Sequence, residues 1–265
     1  MRRFVTGTAI FICWLLLLLK TPFPIFWLAI LFTVGFMLHE FTRMALGDFN
    51  SKDRYALVIL GLFPVAAAYT GSVKAINGIL LPAFLLLFLH IFSSYGRREN
   101  SFKMLYRGVF AIIYIGMLSA HVILLRLLDG GPFWLLYLTA VIIASDSGAY
   151  YGGTLFGRHK LCPSISPGKT VEGLIAGVSS ALIAAGLMHH FLRGTDALYP
   201  MLILAGLLAL IGVVGDLVES IIKRAAGVKD SGMLLPGHGG IFDRLDSLLL
   251  CVPVLYYTLE FGLVP

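Results

Sequence analysis

Tyr199–Val218 reads YPMLILAGLLALIGVVGDLV, a stretch whose one charged side chain is Asp216, near its end. A helix of about 20 mostly apolar residues crosses the hydrocarbon core of a bilayer, so this segment is a membrane span with an acid at its rim. Charge returns at once beyond it, in Glu219, Lys223 and Arg224. Glu219 and Lys223 stand three and seven positions after Asp216, which puts all three on one helical face. The rest of the chain follows the same pattern. Of its 265 residues, 58% are hydrophobic and 13% charged, and the mean hydropathy is +0.91. Soluble domains carry roughly 25% charged residues. A water-soluble fold of this size could not bury so much apolar surface. Disorder, a disulfide scaffold and a coiled coil are excluded by the same figures.

Charged or turn-rich breaks delimit about nine spans: 4–19, 22–38, 55–70, 76–94, 108–125, 132–150, 172–191, 199–218 and 245–262. Arg2 and Arg3 before the first apolar run give it the look of a signal peptide. Lys20-Thr21-Pro22 follows it in place of a small-residue cleavage site, so a retained helix is expected. Lys20, Lys74, Arg126 and Arg193 fall on one side of this arrangement, and the other sixteen of the 20 Lys and Arg fall on the amino-terminal side. The positive-inside rule then makes the amino terminus cytoplasmic and the carboxyl terminus external. The expected fold is all-α and polytopic. It divides loosely into residues 1–105, four apolar spans that carry packing and oligomer contacts, and residues 106–265, a catalytic region with cytoplasmic loops at 151–171 and 219–244. Gly-x-x-x-Gly spacings such as Gly173 to Gly177 read as close helix packing. Cys13, Cys162 and Cys251 are too scattered for a disulfide framework or a zinc site.

Ionisable groups at membrane depth are costly and usually functional. Asp146 lies near the cytoplasmic end of the sixth span, Asp216 near that of the eighth, and Asp243 and Asp246 open the ninth with Arg244 between them. Each alone could serve a structural ion pair. Four arriving at one leaflet, beside Lys and Arg in glycine-rich loops, point to a site. Oxygen ligands without a Cys/His cluster suit a hard cation such as magnesium. Ser166-Pro167-Gly168-Lys169-Thr170-Val171-Glu172-Gly173 opens a helix whose amides face the cytoplasm, a geometry that receives phosphate. No strand is expected before it, and it lacks the upstream glycine of a Walker motif. In Pro236-Gly237-His238-Gly239-Gly240 the backbone can approach a ligand closely, and His238 is open to three roles: ligand, acid/base or loop-fixing hydrogen bonder. His39, Glu40 and Arg43 read as a local ion pair, and His90, His121, His189 and His190 as satisfied polar groups near helix ends.

Residues 220–246 resemble the signature of the phosphatidate cytidylyltransferases, or CDP-diacylglycerol synthases. The resemblance runs through Ser220-Ile-Ile-Lys223-Arg224, Lys229-Asp230 and Leu235-Pro236-Gly237-His238-Gly239-Gly240-Ile241-Phe242-Asp243-Arg244-Leu245-Asp246, with every fixed position filled. Asp146–Tyr150 with Phe156-Gly157-Arg158, and Ser164–Pro167 with Lys169, Thr170, Glu172 and Gly173, are similar to the family as well. Gly168 departs from it, since members often carry a second basic residue there. The resemblance covers about 145–250; earlier residues match only as hydrophobic spans.

It implies an enzyme that joins CTP and phosphatidic acid into CDP-diacylglycerol and pyrophosphate with Mg2+, a monovalent cation such as K+ standing beside it. It further implies an all-helical homodimer in the inner (cytoplasmic) membrane, with membrane lipid but no nucleic acid as partner and the active site facing the cytoplasm. Carried over by motif position, the metal carboxylates are Asp216, Asp243 and Asp246, and Lys223, Arg224 and Arg244 join them in the catalytic set. Lys169 and Lys229 are further phosphate-binding candidates. Ser166, Thr170, Asp230, His238, Gly239 and Gly240 complete the expected substrate contacts, and Asp146 and Glu172 either hold those basic groups or bind ribose and cytosine. Two other classes compete. A CDP-alcohol phosphotransferase would need Asp-Gly followed by Ala-Arg, which Asp129-Gly130 lacks. A transporter would place charge near the midplane and often show paired repeats.

Overall fold

The computed structural model describes residues 2–264 apart from 48, 94, 97–100, 194–197 and 233–238. Helices dominate: α1 (Arg2–Lys20), α2 (Phe23–Ala45), α3 (Ser51–Ala67), α4 (Val73–Phe92), α5 (Ser101–Phe110), α6 (Leu118–Leu127), α7 (Gly131–Phe156), α8 (Val171–Met188), α9 (Leu198–Ala225) and α10 (Phe242–Glu260). A π-helical segment, Ala111–Met117, joins α5 to α6 in one rod. Six of the rods are long and apolar enough to cross a membrane: α2, α4, the α5–α6 rod, α7, α8 with the turn after it, and α9. The protein is therefore an α-helical, polytopic membrane protein. Among the described residues, α1, α3 and α10 fall short by length or charge. The first contributes Thr6–Lys20, the second has 17 residues with Pro64 inside, and the third carries Asp243, Arg244, Asp246 and Glu260 in 19.

The chain divides into two compact units, residues 1–129 with 225–245, and residues 130–224 with 246–265. In the first unit α3 is central, packing on α2, α4 and the α5–α6 rod. Leu46, Leu57, Leu60, Ala83, Leu87, Ile91, Met104 and Ile112 form its apolar core. Asn50 starts α3 by accepting the Asp53 N–H at 2.8 Å, and Ser72 caps α4 in the same way. Such caps satisfy N–H groups that the helix itself leaves open. Asp53, buried at the start of α3, meets His90 Nε2 at 2.8 Å near the end of α4. This is a satisfied polar histidine of the expected kind.

The second unit is built on the α7–α8 pair. Ser145, Gly148, Ala149, Gly152 and Gly153 of α7 meet Gly173, Ala176, Gly177 and Ser180 of α8. A Cβ on Gly173 would lie 2.8 Å from the Ala149 carbonyl oxygen, and one on Gly177 2.9 Å from that of Ser145. Small residues let two helix backbones approach in this way, and close approach is what holds helices together in lipid. Because Gly152 and Gly153 serve packing, α7 runs to Phe156, six residues past the expected border. Tyr137 donates to the Met201 carbonyl at 2.5 Å, tying α7 to α9. Cys251 donates to that of Leu208 at 3.2 Å, tying α10 to α9.

The expected loop at 151–171 holds a departure from purely helical structure. Strands β1 (Lys160–Cys162) and β2 (Ser166–Thr170) pair antiparallel, with Lys160 opposite Thr170 and Cys162 opposite Ser166. The Ile165 N–H closes the turn on the Cys162 carbonyl at 3.2 Å. Pro163 takes the second turn position, which its fixed φ favours. At the far end of β2, the Thr170 hydroxyl accepts the Gly173 N–H at 3.1 Å and so starts α8. The hairpin thus feeds Lys169 directly into a helix amino terminus.

Candidate active site

Asp216 and Glu219 project from one face of α9 and Asp246 from the start of α10. One carboxylate oxygen from each lies within 4.8 Å of the others. Glu219 is 1% exposed and Asp246 7%, whereas Asp216 is partly open. Helix α9 comes close enough for this through glycine. A Cβ on Gly215 would stand 2.5 Å from the Asp246 carbonyl oxygen and 3.3 Å from Ser247 Cα. Gly212, one turn earlier, faces Ile142, Ser247 and Cys251. Asp246 is then aimed by the backbone, its Oδ1 accepting the Ser247 N–H at 2.7 Å, and the Ser220 hydroxyl donates to Asp216 Oδ1 at 3.3 Å.

Two lysines face the trio. Lys169 Nζ, from β2, stands 2.7 Å from Asp216 Oδ2. Lys223 Nζ, one turn along α9, stands 2.5 Å from Glu219 Oε2. Like charges about 4 Å apart repel by about 1 kcal/mol in water and about 4 kcal/mol where the effective dielectric constant is near 20. Three carboxylates therefore gather only with cations beside them, and Lys169 and Lys223 supply two. Carboxylate oxygens without sulfur or imidazole are the donor set of a hard divalent ion completed by water and phosphate. The residues present fit magnesium.

The expected set named Asp216 and Asp246 but not Glu219, although its offset from Asp216 already placed it on the right face. Asp243 falls in the first unit. Its Oδ2 accepts the Ser231 N–H and hydroxyl, each at 2.9 Å, and the Gly240 N–H at 2.8 Å. Gly239 holds φ at 82°, a left-handed conformation that glycine adopts without strain. A side chain there would also meet Asp243, whose Oδ2 would lie 2.7 Å from the added Cβ. His238 lies outside the described residues. In this unit Lys229, Asp230 and Arg244 are exposed, as Arg224 is in the other.

Among the remaining expected contacts, Glu172 has a structural task. Its carboxylate accepts the N–H groups of Arg158 and His159 at 3.1 and 3.2 Å and meets His159 Nδ1 at 2.6 Å. That fastens the turn after α7, where Leu155–His159 and Glu172 line an open cleft of about 480 Å³. Thr170 is buried as the α8 cap, Ser166 begins β2, and Asp146 is exposed on α7. Glu40, read from the sequence as half of a local ion pair, is 6% exposed. It accepts the N–H groups of Ile241 and Phe242 at 3.1 and 2.9 Å and the Ser231 hydroxyl at 3.1 Å.

The profile of the cytidylyltransferase family matches residues 1–261. The chain belongs to that family. A protein of Bacillus subtilis (strain 168) named phosphatidate cytidylyltransferase is 35% identical over 264 residues, 97% of each chain. One of that name from Helicobacter pylori is 34% identical over 266 residues, covering 97% of this chain and 92% of the relative. A third, from Haemophilus influenzae, is 47% identical over 137 residues, about half of each chain. As a cytidylyltransferase the chain is a CTP-dependent nucleotidyltransferase. Such an enzyme handles a polyphosphate, and α9, α10 and the hairpin offer carboxylates and lysines fit for one.

Proposed function

We propose that this cytidylyltransferase takes phosphatidic acid as its acceptor and makes CDP-diacylglycerol and pyrophosphate. The observation that carries the reading is the trio Asp216, Glu219 and Asp246 with Lys169 and Lys223 against it. The names of the two near-full-length relatives support the same acceptor.

A phosphate monoester has its second pKa near 6, so phosphatidic acid is mostly a dianion at neutral pH and needs no general base. One of its phosphate oxygens attacks the α-phosphorus of CTP. The bond from that phosphorus to the oxygen bridging to the β-phosphate breaks, and pyrophosphate leaves with the electron pair. The protein's work is to align the reactants and neutralise charge. Asp216, Glu219 and Asp246 would hold Mg2+, with Asp243 a further carboxylate of the same helix as Asp246. Bound there, the ion supplies Lewis acidity at the α-phosphate and charge neutralisation for the departing pyrophosphate. Lys169 and Lys223 are within a side chain's reach of any phosphate docked on the trio, and Arg224, Lys229 and Arg244 are the remaining phosphate-binding candidates. A K+ ion beside the magnesium belongs to the same proposal.

The topology in this reading has nine spans, α1, α3 and α10 joining the six long rods. The amino terminus is cytoplasmic, the carboxyl terminus external, and the enzyme works as a homodimer in the cytoplasmic membrane. CTP then reaches the site from the cytosol while the lipid keeps its acyl chains in the bilayer. Purified enzyme in detergent, given CTP, phosphatidic acid and Mg2+, is expected to release pyrophosphate and form CDP-diacylglycerol. Release that is indifferent to phosphatidic acid would refute the assigned acceptor.

A further inference from the structure

Glu40 sits near the carboxyl end of α2, nearly two hundred residues from the segment its carboxylate holds. A buried carboxylate is tolerated only where hydrogen bonds replace its water. Here Oε1 takes the Ile241 N–H at 3.1 Å, and Oε2 takes the Phe242 N–H at 2.9 Å and the Ser231 hydroxyl at 3.1 Å. Phe242 is the first residue of α10 and Ile241 precedes it. Glu40 therefore satisfies two of the N–H groups that a helix start leaves open, and it sets a negative charge at the positive end of the helix dipole. In effect, α2 supplies a cap to α10.

Glycines at 232 and 240 leave room for this carboxylate. A Cβ on Gly232 would lie 2.6 Å from Glu40 Oε1, and one on Gly240 2.7 Å from Glu40 Cδ. The Ser231 hydroxyl stands between two carboxylates, 3.1 Å from Glu40 Oε2 and 2.9 Å from Asp243 Oδ2, with one proton to share. Asp243 Oδ2 is further fixed by the N–H groups of Ser231 and Gly240. A continuous run of hydrogen bonds thus joins Glu40, through Ser231, to Asp243.

We infer that Glu40 is a positioning residue for cytidylyl transfer, tying Ser231 to Ile241 and Phe242 at the start of α10 so that Asp243 is held in one orientation. The inference rests on the assignment of Asp243 to the active site. Outer partners that orient ligand side chains are typically worth about 10–100-fold in metal affinity or activity. Glu40→Gln keeps the shape but turns an amide N–H2 toward backbone donors, so it breaks the clamp without emptying the site.

The full-length enzyme in detergent provides the test. Glu40→Gln is expected to remain monodisperse, lose about 10–100-fold in kcat and raise the half-saturating Mg2+ concentration at least about 10-fold. Ser231→Ala, which removes the hydroxyl between Glu40 and Asp243 and leaves the backbone N–H groups that both carboxylates accept, is expected to lower kcat with the KM for CTP little changed. The double variant is expected to fall less than the product of the two losses, because the residues act through one network. Should Glu40→Gln fail to fold, Ser231→Ala decides, and wild-type kinetics in that variant overturn the inference. A folded Glu40→Gln enzyme with wild-type kcat and Mg2+ dependence, or fully multiplicative losses, also overturns it. Asp243→Asn separates the premise from the inference. Full activity there removes Asp243 from the site, whereas its loss beside an unaffected Glu40→Gln enzyme refutes only the role of Glu40.

Discussion

Gly215→Ala tests whether the approach of α9 to α10 builds the carboxylate trio. The added methyl would start 2.5 Å from the Asp246 carbonyl oxygen and 3.3 Å from Ser247 Cα. Ordinary contact begins near 3.4 Å, so the two backbones must part by about 1 Å. Neither neighbour is the tip of a flexible side chain, and no rotamer change relieves the clash. A displacement of 1 Å at reacting groups can cost about 100-fold in rate, and overpacking costs about 1–3 kcal/mol of stability. The expected result is an enzyme that still purifies but turns over about 100-fold more slowly, with a higher Mg2+ requirement. Pyrophosphate release measured across a Mg2+ titration reads both effects. Gly206→Ala is the control, since the nearest atom to its new Cβ is Leu182 Cδ2, in ordinary contact at 3.8 Å. Wild-type turnover and Mg2+ dependence in a folded Gly215→Ala enzyme would refute the claim that this contact sets the site.

Further expectations follow from the same geometry. Asp246→Asn is expected to abolish turnover in a protein that still folds, and near wild-type pyrophosphate release would remove Asp246 from the metal site. Glu219→Gln should weaken Mg2+ activation by more than the roughly 10–100-fold typical of an outer partner, while an unchanged activation curve would restrict Glu219 to its pair with Lys223. Thr170→Ala should lower stability by about 1 kcal/mol through loss of the α8 cap, with Thr170→Ser retaining it in thermal unfolding. A fall in CTP affinity without a fall in stability would instead make the hydroxyl a substrate contact. Chelation by EDTA should silence the enzyme and added Mg2+ restore it, and activity that persists in EDTA would count against any resident divalent ion.

The apolar runs made the helical membrane architecture legible, because length and hydropathy alone mark a span. Helix borders were less legible, for a physical reason. Hydropathy stops at the first charge, but α9 continues through Glu219, Lys223 and Arg224, and α10 opens at Phe242, three residues before its apolar run. Gly152 and Gly153 look like loop residues until their packing on α8 is known. The hairpin at 160–170 is short, and its strands carry no alternating pattern. At the site, Asp216, Asp246 and Lys169 could be chosen from the sequence, and Glu219 was visible on the same helical face as Asp216. Glu40 was not, since its partners are backbone N–H groups 201 and 202 residues away and a serine 191 residues away. Backbone donors leave no signature in side-chain spacing.

Depth along the helices argues for chemistry at one rim. At 1.5 Å per residue, α9 is about 42 Å long, against a hydrocarbon core of about 30 Å. Asp216 stands about 27 Å from its start and Arg224 about 39 Å, so the acids and bases gather toward the carboxyl end of the helix. Asp246 lies about 6 Å into α10, and Lys169 precedes α8 altogether. A carrier of anions would need its charged groups near the middle of these lengths, where α9 instead runs from Met201 to Gly215 without a charged side chain. At the rim, the balance of charge suits a transfer between two anions. Lysines alone would hold phosphates without a metal, and carboxylates alone would repel them. A divalent ion held by the three acids would add two positive charges beside the two lysines and so favour the approach of the nucleotide's phosphates.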